Sequence, residues 1–314
     1  MAMTVNSSYR LFVKGLHLED ADLGGPKEWE FCLNPAKPNE DGLDLEQNQA
    51  KQWVEAHPQG CKESLNILVE HVEHINFQKF LNALEKSIKD IKVKMDAVYK
   101  PATENLNNQE RRKFIVLVEP KKSNQWVAEL ARSYFKVTPQ AYYRLGEKGA
   151  KVFIKEADNC SSEVHQKDLV LFDDASYSGQ QISEHLSNIL QVLKKTGSKV
   201  NVFVVVPFMT IAARECIDGV LASNKKLASR VFIAEHEKMS SISDILSDGQ
   251  FKDLKRYYLG LSGKETVTYF SHKMPNFVSF FSGIKDGTVH NTEKITKKRY
   301  EIIKEIISPY KGSS

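Results

Sequence analysis

The chain has 314 residues, 41% of them hydrophobic, enough for one large domain or two ordinary ones with proper cores. Its 44 basic and 40 acidic residues are mixed along the chain and leave a net charge of +4, which lacks the concentrated basic stripe of non-specific nucleic-acid binders. Cys32, Cys61, Cys160 and Cys216 lie far apart with no C-x-x-C pair, arguing against structural zinc or a disulfide framework and for reduced thiols.

In chain order, 1–110 is polar and turn-rich at first, with 24–26 and 34–42 reading as loops. From 63 to 99 apolar residues recur at helical spacing, Leu65, Leu68, Val72, Phe80, Leu84, Ile88, Ile91 and Met95 among them. Pro101 and a polar stretch then mark a break, and a domain boundary is expected near 110. Beyond it the rhythm becomes strand, helix, strand. Buried strands are expected at 114–118, 169–172 and 202–206, weaker ones at 141–145 and 151–154, and a further one at 231–234. Helices are expected at 126–135, 180–195 and 211–221, the second stopped by Thr196-Gly197. This alternation implies a doubly wound, mainly parallel α/β sheet over 111–292 with an added, largely helical region over 1–110. The remainder, 293–314, reads as a charged amphipathic helix and tail. No stretch approaches the length of a membrane span, so neither signal peptide nor anchor is expected. The expected compartment is the cytoplasm, with secretion as an effector without a cleavable signal left open.

The segment that points to chemistry is Leu169-Val170-Leu171-Phe172-Asp173-Asp174-Ala175-Ser176-Tyr177-Ser178-Gly179-Gln180. Four apolar residues set the strand inside the sheet and deliver Asp173 and Asp174 to its carboxyl end, the edge where open parallel sheets bind ligands. Adjacent carboxylates there repel each other and lose solvation, and sugar hydroxyls or a metal-bound diol would compensate them. Ala175, Ser176, Ser178 and Gly179 are small, and the amides of the turn with the following helix start would form a concave anion site. Acid pair first and phosphate cradle second suits a ribose with a 5-phosphate. The plainer alternative is a strand-end turn, since Asp is common where helices begin.

This stretch resembles the phosphoribosyl diphosphate (PRPP) signature of type I phosphoribosyltransferases: apolar strand, acidic pair, three residues, Thr or Ser, then Gly. The resemblance runs over roughly 112–235 and implies that family's sheet. It implies that Asp173 and Asp174 hold the ribose hydroxyls and that Ala175, Ser176, Tyr177, Ser178, Gly179 and Gln180 bind the 5-phosphate. It also implies a diphosphate loop after strand 114–118, where Glu119-Pro120-Lys121-Lys122-Ser123 stands. Lys121, Lys122 and Ser123 are the candidates, although the loop has no glycine where the family commonly has small residues. Phosphoribosyltransferase-like domains of bacterial conflict systems look similar in both loops.

His272 and Lys273, after extended 266–270, are additional candidates, for acid–base work and phosphate neutralisation. His71 and His74 could pair on a helix but have no third ligand, and Glu235-His236 is a weak lead at a strand end. No protein-held metal site is expected. G-x-x-x-x-G-K-[ST] and G-x-G-x-x-G are both absent, which argues against the ordinary P-loop and Rossmann sites.

The resemblance implies transfer of phosphoribosyl from PRPP to a nitrogen nucleophile with diphosphate release, with Mg²⁺ arriving on the diphosphate. A second reading is a non-catalytic PRPP or nucleotide sensor whose 1–110 region contacts a protein partner. A weaker third is an N-glycosidic hydrolase acting on a nucleotide. Fold alone does not choose among them.

Overall fold

Leu169 and Leu171 bury into one hydrophobic cluster while Val170 and Phe172, from the same strand, bury into another. This period of two is what a strand covered on both faces requires. The structure, a computed structural model, describes residues 47–99, 113–118, 123–132, 134, 141–144, 150–151, 154 and 167–270. Five strands form the main sheet: β2 (Lys113–Val118), β3 (Ala141–Arg144), β4 (Lys167–Phe172), β6 (Val202–Val205) and β8 (Val231–Ile233). Their order is β3-β2-β4-β6-β8 and every pairing is parallel. On one face lie α5 (Gln180–Thr196) and α6 (Ile211–Ser223), whose Leu186, Leu190 and Ile217 meet Leu169, Leu171, Val202 and Val204. On the other lie α3 (Phe77–Tyr99) and α4 (Ser123–Arg132), whose Phe80, Leu84, Ile88 and Val127 meet Val170, Phe172, Phe203 and Val205. The fold is therefore α/β with helices on both faces of a parallel sheet, as the alternation implies. Helix α5 stops where expected, with Gly197 at φ +70° and its N–H donating to the Leu193 carbonyl at 3.0 Å.

Three expectations need correction. The helical pattern over 63–99 is interrupted: α2 (Gln59–Glu70) ends, β1 (Glu73–Ile75) pairs in parallel with β10 (Thr268–Phe270), and α3 starts afresh. The Asn76 side chain accepts from the Lys79 amide at 2.8 Å, an N-terminal cap that begins the new helix. His71 and His74 consequently do not share a helix. The strand expected at 151–154 is not found at its described residues, since 150, 151 and 154 are helical. Ala150 and Ile154 are buried while Lys151 is exposed, the i, i+4 spacing of a helix face. Finally, Ala175 and Ser176 form a short strand, β5, rather than part of a loop.

Helix α3 lies in one hydrophobic cluster with the main sheet, and Ser87, Asp90 and Lys94 on it bond to the chain at the end of β8. Ser87 Oγ donates to the Glu235 carbonyl at 2.6 Å, the Glu235 amide donates to Asp90 Oδ2 at 2.7 Å, and Lys94 Nζ donates to the Ile233 carbonyl at 2.7 Å. Helices α1 (Gln47–Glu55) and α2 bury Val54, Leu65 and Leu68 against Ile242, Leu254 and Leu261, joining the two ends of the described chain.

A second, three-stranded parallel sheet was not foreseen. It consists of β5 (Ala175–Ser176), β7 (Phe208–Thr210) and β9 (Glu237–Met239), in the order β5-β7-β9. Each of these follows a main strand after a short break: Asp173-Asp174 after β4, Val206-Pro207 after β6, and Ala234-Glu235-His236 after β8. The breaks lie side by side, tied by the Asp173 amide to the Val205 carbonyl at 3.1 Å, Ala234 to Val204 at 2.8 Å, and Glu237 to Pro207 at 2.8 Å.

Candidate phosphoribosyl site

The main sheet reverses direction between β2 and β4. From β2 the chain steps outward to β3 on one side, then returns to β4 and continues to β6 and β8 on the other. A crevice at the carboxyl ends of strands flanking such a reversal is where doubly wound sheets bind ligands. The two loops expected to carry the chemistry leave these two strands. They meet there: Ser123 Oγ, at the first residue of α4, donates to Asp173 Oδ1 at 2.6 Å.

Asp173 and Asp174 are both buried, Asp174 completely, at 7% and 0% exposure. Buried carboxylates require donors, and the backbone supplies them. The Asp174 amide donates to Asp173 Oδ1 at 3.0 Å, and the Ala175 amide donates to Asp174 Oδ1 at 2.8 Å. The charge of the pair is felt nearby. Burial first, then the Asp174 and Asp173 carboxylates, holds the Tyr177 phenol well above the ordinary tyrosine value, so it stays protonated at any physiological pH.

Beyond the pair the expected cradle divides in two. Ala175 and Ser176 are buried and paired with Phe208 and Met209, and the buried Tyr177 ring sits edge-on to Phe270 with centroids 6.4 Å apart. Strand pairing claims the first half of the turn. The second half is accessible: Ser178 is half-buried and Gln180 exposed, and the first helical backbone bond of α5 runs from Ser183 to Gly179 at 2.9 Å. The amides ahead of Ser183 have no helical carbonyl to serve and can face an anion. The Gln180 amide also lies 3.3 Å from Ser178 Oγ.

Gly179 is required twice over. Its φ is +74°, a left-handed conformation, and a Cβ there would lie 2.7 Å from the Ala213 carbonyl oxygen and 2.7 Å from Cys216 Cβ. Helix α6 thus presses directly on the turn. Thr210, which caps α6 by accepting from the Ala213 amide at 3.0 Å, also donates its hydroxyl to the Tyr177 carbonyl. Sequence reasoning missed Thr210. Its signal was a Thr ending an apolar strand and opening a helix, a capping pattern visible in Phe208-Met209-Thr210-Ile211.

The structure thus brings Ser123, Asp173, Asp174, Ser178, Gly179 and Gln180 to one edge of the sheet, with Ala175, Ser176 and Tyr177 built into the wall. Lys121, Lys122, His272 and Lys273 lie outside the described residues. Glu235 and His236 stand at the third break, on the same edge but two strands from β4, with His236 Nδ1 3.2 Å from the Ala234 carbonyl oxygen. Among the described residues no group of three or more His, Cys, Asp and Glu side chains is arranged to hold a metal ion. None of the helices there is long and apolar enough to cross a membrane.

A family model, PRTase-CE, a phosphoribosyltransferase-like domain, matches residues 50–279. No curated protein and no solved structure matches the chain.

Proposed function

The chain belongs to the PRTase-CE family of phosphoribosyltransferase-like domains, and from that premise we propose that it binds PRPP or a ribonucleotide at the carboxyl edge of β2 and β4. The observation that carries this reading is the hydrogen bond between Ser123 and Asp173, which joins the ends of both candidate loops at the reversal of the sheet. The acid pair takes the ribose hydroxyls. The amides of Ser178, Gly179 and Gln180, with the start of α5, take the 5-phosphate through charge and backbone donors. A diphosphate on C1 then extends toward Ser123 and the first turn of α4, the loop that also carries Lys121 and Lys122.

As an enzyme, the domain would exchange the C1–oxygen bond to diphosphate for a C1–nitrogen bond, the nucleophile losing a proton and diphosphate leaving. Positioning and charge would supply most of the rate. Asp173 and Asp174 fix the sugar, and their negative charge favours positive charge developing at C1. Mg²⁺ would enter on the diphosphate rather than on a protein ligand set, since no group of three or more acidic, His or Cys side chains among the described residues is arranged to hold it, and it would offset charge on the leaving group.

A non-catalytic sensor is favoured by one observation. Asp174 is wholly buried and holds its own loop amide, an arrangement that fixes shape as readily as it serves chemistry. Calorimetry with PRPP, AMP and ATP, followed by a diphosphate-release assay, separates the readings. Binding with release identifies the transferase and binding without release the sensor. No binding of any of the three overturns both.

A further inference from the structure

Residues 192–202 and 222–231 hold six basic side chains, Lys194, Lys195, Lys199, Lys225, Lys226 and Arg230, and no acidic one. Helices α5 and α6 both start at the carboxyl edge of the main sheet, after Gly179 and Thr210, and run back to its amino edge. There the last turn of α5, the short helix α7 (Lys225–Ala228) and the chain entering β6 and β8 come together. Arg230 Nη1 donates to the Ser198 carbonyl at 2.6 Å and the Val202 amide to the Arg230 carbonyl at 2.8 Å, so the two segments are neighbours. The five lysines are exposed and Arg230 is half-buried. Asp168, near the start of β4, is buried and accepts from Asn201 Nδ2 at 3.2 Å, so it puts no carboxylate on this surface. Cations scattered along the sequence are thus gathered by the fold, on the edge opposite the acid pair.

Lys194 and Lys195 complement the C-terminal dipole of α5, which accounts for two of the six. The other four stand outside that helix, and their mutual repulsion is relieved by a polyanion. We propose that this edge binds the phosphate backbone of a nucleic-acid duplex. A protein partner fits it less well. The exposed large hydrophobic residues among the described ones are Val93, Ile211, Tyr257 and Leu259, none of them in these segments, whereas protein interfaces form around buried apolar anchors. Single strands are held by stacking on aromatic side chains, and the two segments contain none. Phosphate contacts need only charge and hydrogen-bond donors and read no bases, so binding should be indifferent to sequence. The edge lies across the sheet from Asp173, and the proposal does not rest on the phosphoribosyl reading.

The test is fluorescence anisotropy of the full chain with a labelled duplex of roughly 20 base pairs, as DNA and as RNA, at about 50 and 200 mM salt. Binding of either duplex with an affinity that falls about 100-fold between the two salts, the mark of about four phosphate contacts, is the expected result. The combined variant Lys194→Gln, Lys225→Gln, Lys226→Gln should flatten the salt slope by about three. The combined variant Lys252→Gln, Lys255→Gln, Lys264→Gln removes the same charge from exposed positions elsewhere and should bind within about twofold of wild type. All six positions are exposed, so both variants should melt with wild type and a lost affinity reads as a lost contact. Poly-glutamate should compete far more weakly than unlabelled duplex at equal charge. No binding of either duplex at the lower salt, binding that the first variant retains, or an equal loss in both variants overturns the proposal. Competition by poly-glutamate as strong as that of the duplex also overturns it, and marks the edge as a surface for an acidic protein.

Discussion

Thr210 donates its hydroxyl to the carbonyl oxygen of Tyr177, 33 residues earlier, while the same hydroxyl oxygen caps α6. One side chain thus joins the end of β7, the start of α6 and the turn that would hold a phosphate. Thr210 is buried, at 1% exposure, so water cannot replace either bond. Thr210→Val keeps the shape and removes both. The expected cost is about 1–3 kcal/mol, a lost cap plus a buried carbonyl left without its donor. Urea denaturation measures it, and the midpoint should fall with an unchanged slope.

Gly179→Ala should be costlier still. The left-handed backbone alone costs about 1–2 kcal/mol for a residue with a side chain, and the new methyl would meet the Ala213 carbonyl, which cannot swing aside. We expect at least about 2 kcal/mol of destabilisation, with spectral change in α6 as well as in the turn. An unperturbed melting temperature would mean that the turn and α6 are less closely apposed than described.

Phe80→Ala tests whether the N-terminal segment belongs to the core. Phe80 is fully buried and stacks on Phe208 at 6.3 Å between ring centroids, with Phe270 edge-on at 6.5 Å. A large-to-small change there should cost about 3–5 kcal/mol. If α3 were an appendage, global stability measured through β-sheet signals would barely move.

Asp244 supplies a pH test away from the site. Burial works to raise its pKa, but the Ser241 amide and hydroxyl, at 2.9 and 2.7 Å, and Lys238, at 3.1 Å, outweigh it and hold the carboxyl below its ordinary 3.8. A lowered folded-state pKa gives stability that is present above the unfolded value and is lost as pH falls through the folded one. Asp244→Asn should therefore cost about 0.5–1 kcal/mol at pH 7, screened by solvent, and the gap to wild type should narrow as pH falls below about 4 toward the lowered folded value. Stability curves at pH 7 and pH 3 check the sign.

Much of this was legible in the residues. Leu169-Val170-Leu171-Phe172 and Val202-Phe203-Val204-Val205 announce doubly covered strands, because only a strand buried on both faces is apolar without alternation. Gly197 announces the end of α5 as plainly. What was hidden has physical causes. Strand β5 is two residues long, too short for any period, and it exists only because Phe208 and Met209 lie beside it. The β1 interruption was masked because Val72 and Ile75 also fit a helical stripe, three apart, and the pairing with Thr268–Phe270 that decides otherwise is nearly 200 residues distant. The contact of Ser123 with Asp173 spans 50 residues and depends on the order of strands, which no local pattern encodes.

Asp173→Asn and Asp174→Asn should separate function from folding. An Asn oxygen can still accept from the Asp174 or Ala175 amide, so the turn keeps its bonds while the crowded negative charge falls. Stability without ligand should hold or rise, and affinity for PRPP should fall about 10- to 100-fold, the range of a lost charge-assisted bond. Calorimetry beside thermal melts gives both numbers.

The decisive measurement is backbone amide NMR of the full chain titrated with ribose 5-phosphate. Saturable shifts concentrated at Ser178, Gly179, Gln180 and the following helix start, with smaller ones at Asp173, Asp174 and Ser123, are the expected result. Saturable shifts that spare these residues and cluster elsewhere, or no shifts at all, would contradict a phosphoribosyl site at this edge of the sheet.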